Sequence, residues 1–74
     1  MILTVGYFAE PSTPGAQPAT LTVANGGFAT HSEALITARN TADQLHAHSF
    51  VIDFPDGTTE WYVRDGDGWS EKDA

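Results

Sequence analysis

Four groups of side chains in this 74-residue chain have types and spacings that could do chemistry. Asp65-x-Asp67, with Glu71 nearby, offers the oxygen ligands that calcium prefers. An EF-hand loop, however, closes on a bidentate Glu at its twelfth position, and counted from Asp65 the sequence reaches Ala74, two short of that. Solvated turn carboxylates are the simpler reading. His31, His46 and His48 could suggest zinc, but His46 and His48 stand two apart at the end of a predicted helix, point in different directions, and lack a fixed third ligand. Asp53 and Glu60 form a carboxylate pair of the kind that can share acid and base work. On an open sheet face, no cleft would shift their pKa values. Ser12, Ser32, Ser49 and Ser70 show no nucleophile elbow. The expectation is therefore a chain without catalytic residues, metal or cofactor. What remains is an acidic group with aromatics, Asp53, Glu60, Tyr62, Asp65, Asp67 and Trp69, which could bind a partner. Alternate residues on a strand repeat about every 6.6 Å on one face, so carboxylates at that spacing can present a negative row to a groove of Arg and Lys. Tyr and Trp beside them are residue types enriched at interface hot spots. The competing reading is that acidity confers solubility and that Tyr62 and Trp69 cover the sheet.

A hairpin over Ser49–Arg64 must position this group. Asp56-Gly57 tolerates positive φ at both positions and reads as a two-residue turn. Phe54 then faces Thr59, Ile52 faces Trp61 and Phe50 faces Val63, which places the large apolar side chains on one face. The other face carries Asp53 opposite Glu60 and Val51 opposite Tyr62, with Arg64 beyond. A three-residue Pro55-Asp56-Gly57 loop would instead set Ile52 against Glu60 and Phe50 against Tyr62, mixing charge into the buried face. The two-residue turn is preferred on that ground.

The remaining elements follow in chain order. Met1–Ala9 alternates with apolar residues on both sides and reads as a strand covered on both faces or an end that packs under another element. Glu10–Ala19 holds three prolines and reads as a loop. Thr20–Ala24 and Gly27–Thr30 flank Asn25-Gly26, a strong hairpin signal. Thr30 followed by Glu33 has capping-box form and opens a helix from His31 to about Ala47, with an apolar stripe of Leu35, Ala38, Ala42 and Leu45 and with Ala34 and Thr41 beside it. After Arg64, two Asp-Gly pairs mark a turn; Trp69 could return as a short strand or plug, and Glu71–Ala74 reads as frayed. The predicted fold is a single α+β domain over residues 1–74, an antiparallel sheet of four to five strands from two hairpins flanking one helix packed on one face, in the order β-β-β-α-β-β.

Composition narrows the function. Ten acidic residues against three basic give a net charge of -7. Residues 1–52 hold three acidic residues against one basic, and residues 53–74 hold seven against two, so the acidity sits in the last third. Direct nucleic-acid binding is disfavoured, because phosphate neutralisation by Lys and Arg supplies most of that affinity; an anionic membrane is disfavoured for the same reason. A basic protein surface is the natural partner. No cysteine is present, so disulfides and thiolate metal sites are excluded. The opening Met-Ile-Leu-Thr-Val-Gly-Tyr-Phe has no basic n-region and too short an apolar run for a signal peptide or a membrane span. The chain reads as soluble and cytoplasmic.

Two resemblances extend this reading. In size, acidity, lack of cysteine and mixed strand and helix pattern, the whole chain resembles the small phage-encoded inhibitors of CRISPR systems, the anti-CRISPR proteins. The resemblance implies a nucleic-acid mimic, produced in the host cell's cytoplasm, that binds a Cas protein or surveillance complex as a monomer or weak homodimer. Phe28–Leu45, through Phe-Ala-Thr-His-Ser-Glu-Ala-Leu-Ile-Thr-Ala-Arg, is similar to the strand-to-helix passage of HicB-type antitoxins. There the Asp-Leu-Pro-Gly-Cys type segment is replaced by Val23-Ala24-Asn25-Gly26-Gly27. This second resemblance implies neutralisation of a small basic ribonuclease toxin. A self-associating structural domain is a third possibility.

Overall fold

The computed structural model describes residues 2–11, 13 and 15–72; Met1, Ser12, Pro14, Asp73 and Ala74 lie outside the described residues. Five strands and one helix follow in the order β1 (Ile2–Phe8), β2 (Thr20–Gly27), α1 (His31–Gln44), β3 (Ser49–Asp53), β4 (Thr59–Asp65) and β5 (Gly68–Lys72). The fold is α+β, with one antiparallel sheet in the strand order β2-β1-β3-β4-β5. The helix stands after the second strand, so the order is β-β-α-β-β-β and the expected β-β-β-α-β-β is corrected. The reason lies at Asn25-Gly26. These residues do not turn: Asn25 pairs with Thr4 and Gly26 with Leu3 within one continuous strand, and the Thr4 hydroxyl donates to Asn25 Oδ1 at 2.7 Å. The Pro-rich loop makes the connection between β1 and β2, closed by Ala9 N–H donating to Ala19 O at 2.9 Å.

The helix opens as the sequence predicts. Thr30 Oγ1 accepts from Glu33 N–H at 3.1 Å, and the Glu33 carboxylate reaches back to Ala29 N–H at 3.4 Å. It ends earlier than Ala47. His46 takes a left-handed conformation, φ 56; its N–H donates to Asp43 O and that of Ala47 to Ala42 O, a Schellman closure. The residues buried on the helix are Ala34, Ala38 and Ala42. Leu35 packs at the margin of the core and Leu45 is exposed, so the expected Leu35-to-Leu45 stripe is corrected to an alanine stripe. Three methyl-sized side chains let the helix lie close on the sheet, against Leu3, Val5, Tyr7, Phe50, Ile52 and Tyr62.

The hairpin register is the second correction. Ile52 pairs with Glu60, Val51 with Trp61 and Phe50 with Tyr62. The turn is the three-residue Pro55-Asp56-Gly57 loop, with Phe54 N–H bonded to Thr58 O and Gly57 N–H to Phe54 O. Gly57 at φ 91 supplies the left-handed residue that a bulged three-residue hairpin requires. Asp56 locks the loop by accepting from Thr58 N–H at 2.9 Å and from its hydroxyl at 2.6 Å. Past Arg64, Gly66-Asp67 forms a two-residue turn, since Asp65 pairs with Gly68. Glu71 and Lys72 belong to β5 instead of a frayed end, and Trp69 lies on that strand.

Candidate functional site

Side chains alternate between the two faces of a strand, so the pairing registers sort every residue. The face under α1 holds Leu3, Val5, Tyr7, Phe50, Ile52, Glu60, Tyr62, Arg64 and Trp69. The opposite face holds Ile2, Gly6, Phe8, Val23, Val51, Asp53, Trp61, Val63 and Lys72. α1 is the only helix among the described residues, and it covers only the first face. The second is an open sheet face with an aromatic centre. Phe8 and Trp61 stack with centroids 5.6 Å apart and planes 13° from parallel. Gly6 makes this possible, because a Cβ there would meet the Phe8 ring at 3.3 Å and Val51 at 3.5 Å. Val51 lies directly opposite Trp61 on β3, and Lys72 opposite it on β5. Ile2 and Val23 are more than half exposed on the same face.

The six predicted partner-binding residues are divided by this geometry. Asp53 is exposed on the open face, beyond the end of its aromatic centre. Asp65 and Asp67 are exposed at the β4–β5 turn. Glu60, Tyr62 and Trp69 lie on the helix face, so Asp53 and Glu60 do not form a carboxylate pair and the expected continuous acidic row is corrected. The physical reason is that Glu60 is not stranded there. Its two oxygens lie 2.9 and 3.0 Å from His31 Nε2, and its Oε1 also accepts from the Tyr62 hydroxyl at 2.9 Å. His31 in turn stacks on Phe54, centroids 5.5 Å apart. Tyr62 is buried, stacked on Phe50 at 5.0 Å. Burial, and then the Glu60 carboxylate that accepts its hydroxyl, push the Tyr62 phenol well above its ordinary value. Trp69 packs edge-on to Phe50 at 4.9 Å and lies beneath the Arg64 guanidinium, 4.3 Å from its ring centroid. Arg64 also donates to Ala47 O from Nε and Nη2 and to Asp43 Oδ1 at 3.1 Å. It thereby ties the closing turn of α1 to the sheet.

Asp53 and Asp56 sit at one end of β4, and Asp65 and Asp67 at the other. Seven residues of strand separate the two ends by about 20 Å. The Asp56 carboxyl is held below the usual range by the hydrogen bonds from Thr58, and Asp65 Oδ2 accepts from the Ser70 hydroxyl at 2.6 Å. The open face therefore has an apolar centre with carboxylates at two ends and Lys72 at its flank. Among the described residues, no three His, Cys, Asp or Glu side chains converge on a point that could hold a metal ion. The predicted candidates His31, His46 and His48 are likewise spread out: His31 is engaged by Glu60, His46 closes the helix, and His48 bridges strands through its backbone, N–H to Phe8 O and O from Arg64 N–H. Ser49 is buried, Ser32 and Ser70 are exposed, and Ser12 lies outside the described residues. A groove of about 160 Å³ between α1 and β2 is lined mainly by apolar groups, including Val5, Ala24, Phe28 and Ala38.

Phe8, Val51, Trp61 and Val63 are the residues of the open face that the sequence reading did not single out. The signal is present in Met1–Ala9, whose apolar residues on both sides are as compatible with an open apolar face as with cover on both. In the structure one of those sides is the open face. No helix among the described residues is long and apolar enough to cross a membrane. No family model, curated protein or solved structure matches the chain.

Proposed function

We propose that this chain is a small acidic protein-binding inhibitor that docks through its open sheet face on a partner with a basic surface. The observation that carries the reading is the stacked Phe8–Trp61 pair, set on the sheet face that α1 does not cover and bracketed by Asp53 and Asp56 at one end and Asp65 and Asp67 at the other. Interfaces concentrate their energy in central aromatics and surround them with a polar rim. Carboxylates at the rim steer encounter with a cationic surface and set its salt dependence. Glu60, Tyr62 and Trp69 then contribute by shaping the helix face and the sheet twist instead of by direct contact. The resemblance to anti-CRISPR proteins suggests the class of partner, a Cas protein or surveillance complex whose nucleic-acid channel is basic.

The test is displacement of a labelled guide or target nucleic acid from a purified Cas effector, read by fluorescence anisotropy. The expected outcome is competition by the wild-type chain that weakens with salt. Trp61→Ser and the triple change Asp53→Asn, Asp65→Asn, Asp67→Asn should each reduce it about tenfold or more, roughly 1.4 kcal/mol, at a temperature where circular dichroism shows both variants folded. Equal competition by the wild type and both variants would remove the open face from the mechanism. Competition for RNA on a small basic ribonuclease instead would favour the antitoxin reading.

A further inference from the structure

The sheet ends on two edges, β2 and β5, and they differ in the property that decides what can pair with them. β2 is eight residues long, Thr20–Gly27, with seven exposed and one half-buried. It carries no charge and no proline, and residues 11–30 contain no Asp, Glu, Lys or Arg at all. Its one irregularity, a register shift opposite Tyr7 and Phe8, falls at its start and leaves Thr22–Gly27 in regular pairing. Leu21 and Val23 are 43% and 58% exposed. Natural sheets blunt exposed edges with Lys, Pro, short length or a covering element, and apart from that shift β2 has none of these. β5 is protected: it is five residues long, carries Glu71 and Lys72, and lies beside the acidic β4–β5 turn.

We propose that β2 is a self-association edge, pairing antiparallel with β2 of a second copy so that two five-stranded sheets become one. Antiparallel pairing of identical strands about a two-fold axis is isologous, with the same residues on both sides, and needs only one such edge. Charge selects the occupant. Two chains of net charge -7 repel one another over most of their surface, and an uncharged edge is where they approach at least cost. A cationic partner gains nothing from that edge. Thr20, Thr22 and Val23 are β-branched types suited to strand pairing, and the exposed Leu21 and Val23 lose water contact on pairing. This association is independent of the inhibitor reading: it uses the backbone edge of β2, at the margin of the open face, whereas docking centres on Phe8 and Trp61.

Salt separates the two. Screening removes the mutual repulsion of like-charged copies, so self-association strengthens with salt, whereas docking on a basic partner weakens. Sedimentation velocity from micromolar to sub-millimolar concentration should show the mass rise from 7.9 kDa towards twice that value, at lower concentration in high salt. Val23→Lys lowers the net negative charge, which alone would favour association, yet it sets a Lys on each facing edge and should return the chain to monomer. Ser70→Lys on β5 should leave the dimer in place. Hydrogen exchange on the wild-type chain gives a second reading that needs no variant, since protection of β2 amides should grow with concentration while that of β5 amides stays fixed. A mass of 7.9 kDa throughout, or a dimer abolished by Ser70→Lys and spared by Val23→Lys, would overturn the assignment. Concentration-dependent protection at β5 would do the same.

Discussion

His46 holds the left-handed position that closes α1, a place where most helices use Gly. A side chain with a Cβ pays a steric cost there, while the Ala47 N–H bond to Ala42 O and the His46 N–H bond to Asp43 O close the turn. His46→Gly is expected to raise stability by about 1 kcal/mol, a rise in Tm of roughly 4–8 °C for a domain of this size. Thermal melting followed by circular dichroism checks this, and an unchanged or lowered Tm would mean that the His46 side chain contributes more than its backbone costs. Some single residues were legible in the sequence and others were not, for definite reasons. Thr30 and Glu33 were, because a capping box is local and no tertiary contact competes with it. Glu60 was not. A carboxylate facing the core reads as an error until His31, which is 29 residues away in sequence, and the Tyr62 hydroxyl are seen to engage it. Tyr62 and Trp69 lie on the helix face with it, and the other three predicted partner-binding residues, Asp53, Asp65 and Asp67, are exposed.

At the scale of elements, α1 is defined by what it lacks. Ala34, Ala38 and Ala42 are at most 1% exposed, and larger side chains at these positions would push the helix off the sheet. Ala42→Leu is expected to lower stability by about 1–3 kcal/mol through overpacking, measurable as a lower midpoint in urea; equal stability would mean that the layer between helix and sheet holds unfilled space. The hairpin β3–β4 shows where sequence reasoning ran out. A reversal of the chain near Asp56-Gly57 is legible in the sequence, but its expected two-residue form and register rest on burying the more apolar face of β4, and the three-residue loop overturns both. Both faces of that strand are amphipathic. Tyr62 and Arg64 bury ring and stem while keeping polar tips engaged, so the face holding them can be the inner one and Trp61 and Val63 can face outwards. Asn25-Gly26 misled for the complementary reason. Its turn propensity is real, yet the pairing of seven of the eight β2 residues with β1 overrides a local preference.

For the whole molecule, the two tyrosines give a readout of the core. Burial raises both Tyr7, against an opposing hydrogen bond from Thr41, and Tyr62 above the ordinary value of 10.0. With folded pKa values above the unfolded one, the stability they carry is complete below about pH 10 and is lost as pH rises towards the folded values. Tyrosinate absorbance should therefore appear in one cooperative step together with loss of near-UV circular dichroism, and Tyr62→Phe should move that step to higher pH. Gradual ionisation near pH 10 with structure intact would contradict the buried placement of both rings. Fold class and acidity were legible from composition and periodicity; the open face was not, because which side of a sheet a single helix covers depends on strand order. That order also places β1 between β2 and β3, so that Phe8 pairs with both Thr20 and Ser49. A strand interior to the finished sheet thus precedes every other described element, and its second neighbour is made only after β2 and α1. During synthesis β1 must wait, paired on one side, while β3, β4 and β5 can close on one another as a local meander. Docking of the β1–β2 ribbon beside that meander is the pairing of largest sequence separation, and it is the step expected to be slow, with β3–β5 amides protected before those of β1 in pulse-labelled hydrogen exchange.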